Sequence, residues 1–199
     1  MSGPSDPRLE TQVYRPAADS TLLVEAAKQV VEPGWIVVDT GTGSGIVADR
    51  LQREAAVRAI ATDINPHACA AASRRGLEVV RGSLLDPIDE ASVDAAVFNP
   101  PYLPADDRLP DDWLDRATTG GPTGIELVSD WIEDVPRVLK PGGVAVCLVS
   151  SLTDIDEVVA IAEATGLSVT ELAERPFPFE RLVALALNPA EPSAVDQLA

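Results

Sequence analysis

The sequence predicts an α/β fold: a seven-stranded, mostly parallel sheet with an antiparallel last strand and helices on both faces. Two observations lead there. Short runs that are apolar on both faces alternate with helical stretches, the rhythm of right-handed crossovers feeding a parallel sheet. The last two runs are instead joined by a short turn, which only an antiparallel pair allows.

Residues 35–39 (WIVVD), 58–62 (RAIAT), 77–81 (LEVVR), 93–98 (VDAAVF) and 143–149 (GVAVCLV) read as five strands. Helices are expected at about 19–31, 44–54, 66–75 and 125–139 between them, and a fifth at about 153–165. Two final strands at 167–173 and 182–187 flank "ERPFPFE", read as a Pro/Phe-rich turn. The segment 103–124 is long for a loop and follows a strand's C-terminal end, where such loops usually serve function. With 199 residues, 46% apolar content and no interdomain linker, a single domain over 13–187 is expected. The polar, aperiodic ends 1–12 and 188–199 are expected to be flexible.

Composition excludes several chemistries. Cys69 and Cys147 are isolated and His67 is the single histidine, too few for a disulfide framework or a Cys/His zinc site. No apolar run is long enough to span a bilayer and the first residues lack a signal-peptide pattern, so a cytoplasmic location is expected. The 32 acids against 15 bases give a net charge of -17, and Lys28 and Lys140 are the only lysines. Such a surface repels phosphate backbones, making nucleic acid a disfavoured partner. It also suits molar salt, where charges are screened within about 3 Å, as on halophilic proteins.

"VVDTGTGSGIVADRL" sets Asp39 at a strand end, followed by Gly41, Thr42, Gly43 and Gly45 and then a helix. The dinucleotide fingerprint requires Gly or Ala at position 46, where Ile46 stands, so a pyrophosphate loop fits poorly. An acid leading such a turn suits a ligand with an amino-acid end: the carboxylate holds the ammonium and backbone N–H groups receive its carboxylate. Asp63 ends the second strand, placed to accept two hydrogen bonds from a ribose diol. A ligand with an amino-acid end, a ribose and an adenine is S-adenosyl-L-methionine.

Asn99-Pro100-Pro101-Tyr102 closes the fourth strand where strand order reverses, facing the same crevice. Proline has no N–H, so these residues present carbonyls with no competing donor. The Asn99 side-chain oxygen and the Pro100 carbonyl can accept both hydrogens of a planar NH2 group, and Tyr102 offers it a flat face. Held in this way, a delocalised nitrogen turns its lone pair toward a methyl donor without a strong base.

These motifs resemble class I S-adenosylmethionine-dependent methyltransferases with a Rossmann-like fold. Among them the chain is similar to the HemK-like protein glutamine methyltransferases of archaea and eukaryotes, which modify the Gly-Gly-Gln glutamine of class 1 release factors. The similarity spans about residues 13–187: "VYRPAADSTLL" resembles the family's Y-x-P-A-E-D-T-x-L-L opening, and "GGPTGIELVSDWIEDVPRVLKPGG" its G-G-x-x-G segment and following helix. The resemblance implies a cofactor set of Asp19, Asp39, Gly41, Thr42, Gly43, Gly45, Asp63, Ile64, Ser83, Leu84 and Asn99, with Asp19 closing over the cofactor. It implies that Asn99, Pro100, Pro101 and Tyr102 hold the target amide. It further implies a small zinc-binding activator protein, which would bring the zinc, paired with edge strand 77–82. Two departures stand out. Ala18 replaces the family's usual Glu. Ser83 replaces the acid that usually meets the adenine amino group, and Asp86 is the neighbouring acid that could compensate. An N6-adenine methyltransferase, a protein lysine methyltransferase and a non-catalytic cofactor-binding scaffold remain as alternatives, since Asn-Pro-Pro-Tyr also serves exocyclic adenine amines.

Overall fold

The computed structural model describes Val13, residues 18–103, Trp113 and residues 117–189. The elements in chain order are α1 (Ala18–Ala27), β1 (Ile36–Thr40), α2 (Ile46–Glu54), β2 (Arg58–Asp63), α3 (Pro66–Arg74), β3 (Glu78–Arg81) and β4 (Val93–Phe98). They continue with α4 (Glu126–Val138), β5 (Leu139–Ser150), α5 (Ile155–Ala164), β6 (Leu167–Phe177) and β7 (Glu180–Pro189). Of the expected ends 1–12 and 188–199, residues 1–12 and 190–199 lie outside the described residues.

The strands form one seven-stranded sheet in the order β3-β2-β1-β4-β5-β7-β6. The first five pair in parallel, and β7 runs antiparallel to both β5 and β6. Alternation along β5 separates two cores: Ala145, Cys147 and Val149 face α4 and α5, whereas Val144, Val146 and Leu148 face α1 and α2. A third, alanine-rich cluster seats α3 against β2 through Ala59, Ala61 and Ala72. Local chemistry sets the helix starts: Asn65 caps α3 by accepting from the His67 amide at 2.9 Å with Pro66 behind it, and Asp154 caps α5 through the Glu157 amide at 3.1 Å.

Three expectations about strand length are corrected. β5 begins at Leu139, four residues before the expected start, because the Lys140-Pro141-Gly142-Gly143 stretch enters the sheet as a bulge: Val93 lies opposite Leu139 but Ala95 opposite Val144. Lys140 fixes that bulge by an ion pair to Asp94 at 2.9 Å. "ERPFPFE" is likewise mostly strand, with the turn confined to Pro178 and Phe179. Pro176 is tolerated because β6 is an edge strand, where one absent N–H breaks no second ladder. Asn188 and Pro189 also belong to β7, opposite Ser168 and Leu167, rather than to a loose tail.

The order of strands reverses between β1 and β4, and Trp131 of α4 fills the space beneath that point. It is fully buried, its Nε1–H donates to Thr40 Oγ1 at 3.1 Å, and its ring stands 5.4 Å from that of Phe98, which pairs with Thr40 across the two strands. Trp131→Ala is expected to lower the unfolding free energy by about 4 kcal/mol, the cost typical of a large core cavity. Chemical denaturation at constant salt measures it.

Candidate active site

β1, β2 and β4 deliver their last residues to one cavity of about 640 Å³ at the sheet's C-terminal edge, within the range of small-molecule sites. Every residue of the expected cofactor and amide-holding sets lines it except Gly45. Gly45 acts one step back: with φ 79° it sits at the N-terminal end of α2, and a Cβ there would press on Leu77 at 2.9 Å and Ala72 at 3.0 Å. It lets the glycine turn close against α3 and does not touch the cavity.

A buried and a half-buried carboxylate organise the turn. Asp39 is almost fully buried, and its Oδ2 accepts from Thr42 Oγ1 at 2.5 Å and from the Ala48 amide at 3.2 Å. Burial pushes its pKa up to about 7, an effect that these two donors reduce and the neighbouring Asp63 charge increases. Asp63 accepts the Gly43 amide on Oδ2 at 2.9 Å and the Asn65 amide on Oδ1 at 2.8 Å, and burial raises its pKa as well. Backbone donors thus hold both Asp63 oxygens, and a carboxylate's four lone-pair sites leave it further acceptor capacity. The Thr42 amide donates to the Thr62 carbonyl at 2.9 Å, tying the turn to β2.

At the end of β4 the Asn99 amide has a defined orientation. Its Nδ2–H donates to Asp19 Oδ2 at 3.0 Å, and its Oδ1 is buried with no partner among the described residues. Asp19, expected over the cofactor, lines the cavity with one oxygen on Asn99 and the other on the Ser20 amide at 2.6 Å. Ser83 and the exposed Ile64 line the adenine end that the sequence suggests. Leu84 joins them with a positive φ of 44°, its carbonyl held by Thr62 Oγ1 at 3.1 Å. The suggestion that Asp86 compensates for Ser83 is not supported: Asp86 is absent from the lining, and its amide closes a turn on the Ser83 carbonyl at 3.0 Å. His67 is also absent from the lining.

The Gly-Gly segment has a physical reason that resemblance alone did not supply. Gly120 is packed so closely on the Pro101 and Gly124 carbonyls that a Cβ would overlap both, and Gly124 meets the Tyr102 carbonyl in the same way. Backbone bonds from Leu103 to Thr118 at 3.0 Å and from Gly120 to Leu103 at 2.9 Å stitch the segment to the proline turn. Glu126 accepts the Thr123 and Gly124 amides at 2.9 and 3.1 Å and so shapes the glycine turn. Sequence reasoning did not name Leu103, Trp113, Thr118 or Thr119, which also line the cavity. Their placement within the long 103–124 segment was the available signal.

A family model described as a methyltransferase domain matches residues 38–100. A putative protein N5-glutamine methyltransferase, MJ0928 of Methanocaldococcus jannaschii, is 31% identical over 185 residues, covering 89% of this chain and 92% of that protein. The chain belongs to the HemK-like protein N5-glutamine methyltransferase family. The human methyltransferase HEMK2 is 30% identical over 182 residues, 83% of this chain and 84% of its own length. Among solved structures, the E. cuniculi Mtq2–Trm112 complex, described as responsible for methylation of the eRF1 translation termination factor, matches with TM-score 0.76 at 29% identity, covering 90% and 99%. As a member of this family the chain is an S-adenosylmethionine-dependent methyltransferase with a Rossmann-like fold.

Two outcomes follow from the geometry. Gly120→Ala is expected to reduce methyl transfer by roughly 100-fold through displacement of the proline turn, while S-adenosylmethionine affinity changes less than about threefold; calorimetry and a transfer assay separate the two. Asp39→Asn is expected to stabilise the ligand-free protein at pH 8 and to change it little near pH 4. A folded-state pKa near 7 against about 3.9 unfolded means stability is fully present below pH 4 and is lost as pH rises through 7. Denaturation curves at the two pH values test this.

Proposed function

We propose that this methyltransferase transfers a methyl group to the glutamine side-chain amide of the Gly-Gly-Gln motif in an archaeal translation termination factor. The observation that carries the proposal is a buried, unpartnered acceptor, Asn99 Oδ1, on a residue that lines the cavity. A buried acceptor costs about 1–3 kcal/mol when left unpaired, and a target NH2 group supplies the donor it lacks. The names of the relatives, protein N5-glutamine methyltransferase and a complex that methylates a termination factor, support an amide as that donor. A net charge of -17 weighs against the nucleic-acid alternative.

In this reading Asp39 and the Gly41–Gly43 turn hold the methionine end of S-adenosylmethionine, Asp63 the ribose, and Ile64, Ser83 and Leu84 the adenine. When bound, the cofactor supplies a methyl group on a sulfonium, which leaves with the electron pair of the C–S bond. Asn99 Oδ1 and the Pro100 carbonyl accept the two amide hydrogens, which raises electron density on the nitrogen and aims its lone pair at the methyl carbon. Both acceptors also stabilise the positive charge that grows on that nitrogen until one of its protons passes to water. Tyr102 keeps the amide plane in register with these acceptors.

The E. cuniculi relative was solved with Trm112, and for this chain we propose a small zinc-binding activator that pairs along 77–82. The supporting feature is β3, a four-residue strand at the sheet edge with Val80 exposed. Val80 stands between the charged Glu78 and Arg81, and an edge strand is a natural site for an added strand.

The direct test incubates the chain and its activator with labelled cofactor and the termination factor at high salt. Labelling is expected to disappear when the Gly-Gly-Gln glutamine is replaced; labelling that survives would sink the glutamine assignment. Asn99→Ala is expected to lower transfer by roughly 100-fold or more with cofactor affinity nearly intact. If ionised Asp39 holds the cofactor ammonium, affinity should weaken as pH falls through about 7, approaching about tenfold per unit, and Asp39→Asn should flatten the profile.

A further inference from the structure

Asp19 and Asn99 are 80 positions apart in the chain and meet at 3.0 Å inside the cavity wall. An asparagine amide has two orientations related by a half-turn, and in this one Nδ2 faces Asp19 while Oδ1 is left unpartnered. A carboxylate is an acceptor only, so Asp19 satisfies the orientation with Nδ2 inward and repels the one with Oδ1 inward. Asp19 is itself fixed. It lies in the first turn of α1, where the helix dipole favours an anion, and its second oxygen is taken by the Ser20 amide. The start of that helix is held from across the sheet: Arg175 of β6 donates to the Ala18 carbonyl at 3.1 Å and reaches Glu25 at 3.4 Å.

We infer that Asp19 is a positioning residue that locks Asn99 as an oxygen-presenting, charge-polarised acceptor and so selects an amide over an acid at the target position. The inference rests on the reading of Asn99 as the acceptor for the target NH2. A carboxylate hydrogen-bonded behind an amide increases the negative charge on its oxygen. Asn99 Oδ1 then stabilises a nitrogen that is becoming positive without being basic enough to remove a proton from the bound amide. The same arrangement rejects a glutamate at the target position, whose oxygens would face Asn99 Oδ1 with no hydrogen to share and with the Asp19 charge one group behind. A role confined to closing over the cofactor would leave Asn99 orientation independent of Asp19.

The test compares Asp19→Ala and Asp19→Asn with the unaltered full chain. Asp19→Ala is expected to lower kcat by roughly 100-fold, while KM for the protein substrate and Kd for S-adenosylmethionine stay within about threefold. Asp19→Asn retains an oxygen that can accept from Asn99 without the charge, so a loss of roughly tenfold is expected. Cofactor affinity falling in step with kcat, or equal losses in the two variants, would overturn the inference. A second measurement needs no substrate: the Asn99 side-chain amide signal, assigned by its absence in Asn99→Ala, should show one downfield, exchange-protected proton in the parent and lose both properties in Asp19→Ala. An unchanged signal overturns the inference whatever the substrate is. Failure of the parent chain to methylate a Gly-Gly-Gln protein, with the signal behaving as expected, counts instead against the glutamine assignment.

Discussion

The site depends first on β1 and β4 ending in step. Their parallel register sets Asp39 opposite Val97 and Thr40 opposite Phe98, so the chain leaves both strands at the same height and on either side of one crevice. A slip of one residue would turn Asp39 to the opposite face of the sheet and separate the glycine turn from the proline turn. Trp131 holds this register from below by joining the Thr40 hydroxyl to the Phe98 ring. The carboxylate that organises one turn and the amide that ends the other are therefore consequences of one strand pairing.

Buried polarity is the cost of that arrangement, and each group meets it differently. Asp39 and Asp63 receive donors from the backbone and from Thr42, yet burial still pushes both toward the protonated form. Asn99 satisfies its donor side and leaves its acceptor open. An open buried acceptor is a local loss of stability that a bound donor would restore.

Much of this was legible in the sequence, because alternating apolar runs, the glycine turn at Gly41–Gly45 and Asn99-Pro100-Pro101-Tyr102 are local patterns whose chemistry reads without coordinates. The strand ends were less legible. Pro141, Gly142 and Pro176 read as breakers, but a bulge absorbs the first two and an edge position the third. Gly45 carries the same glycine signal as its neighbours, and only packing against Ala72 and Leu77 separates its role from theirs. Asp19 could be named as a site residue, but its bond to Asn99 could not, since nothing local connects side chains that far apart in sequence.

Arg175 gives that long-range contact a further meaning. It belongs to the strand at the far edge of the sheet, yet it ties down the helix start that carries Asp19. Residues 39–99 supply most of the strand ends that border the crevice, whereas an oriented Asn99 draws on residues from both the first and the last fifth of the chain. During synthesis the crevice has its parts well before β6 and β7 emerge. The support that reaches Asn99 through Asp19 and Arg175 is completed only afterwards, so the two sides of the crevice are finished at different stages of synthesis.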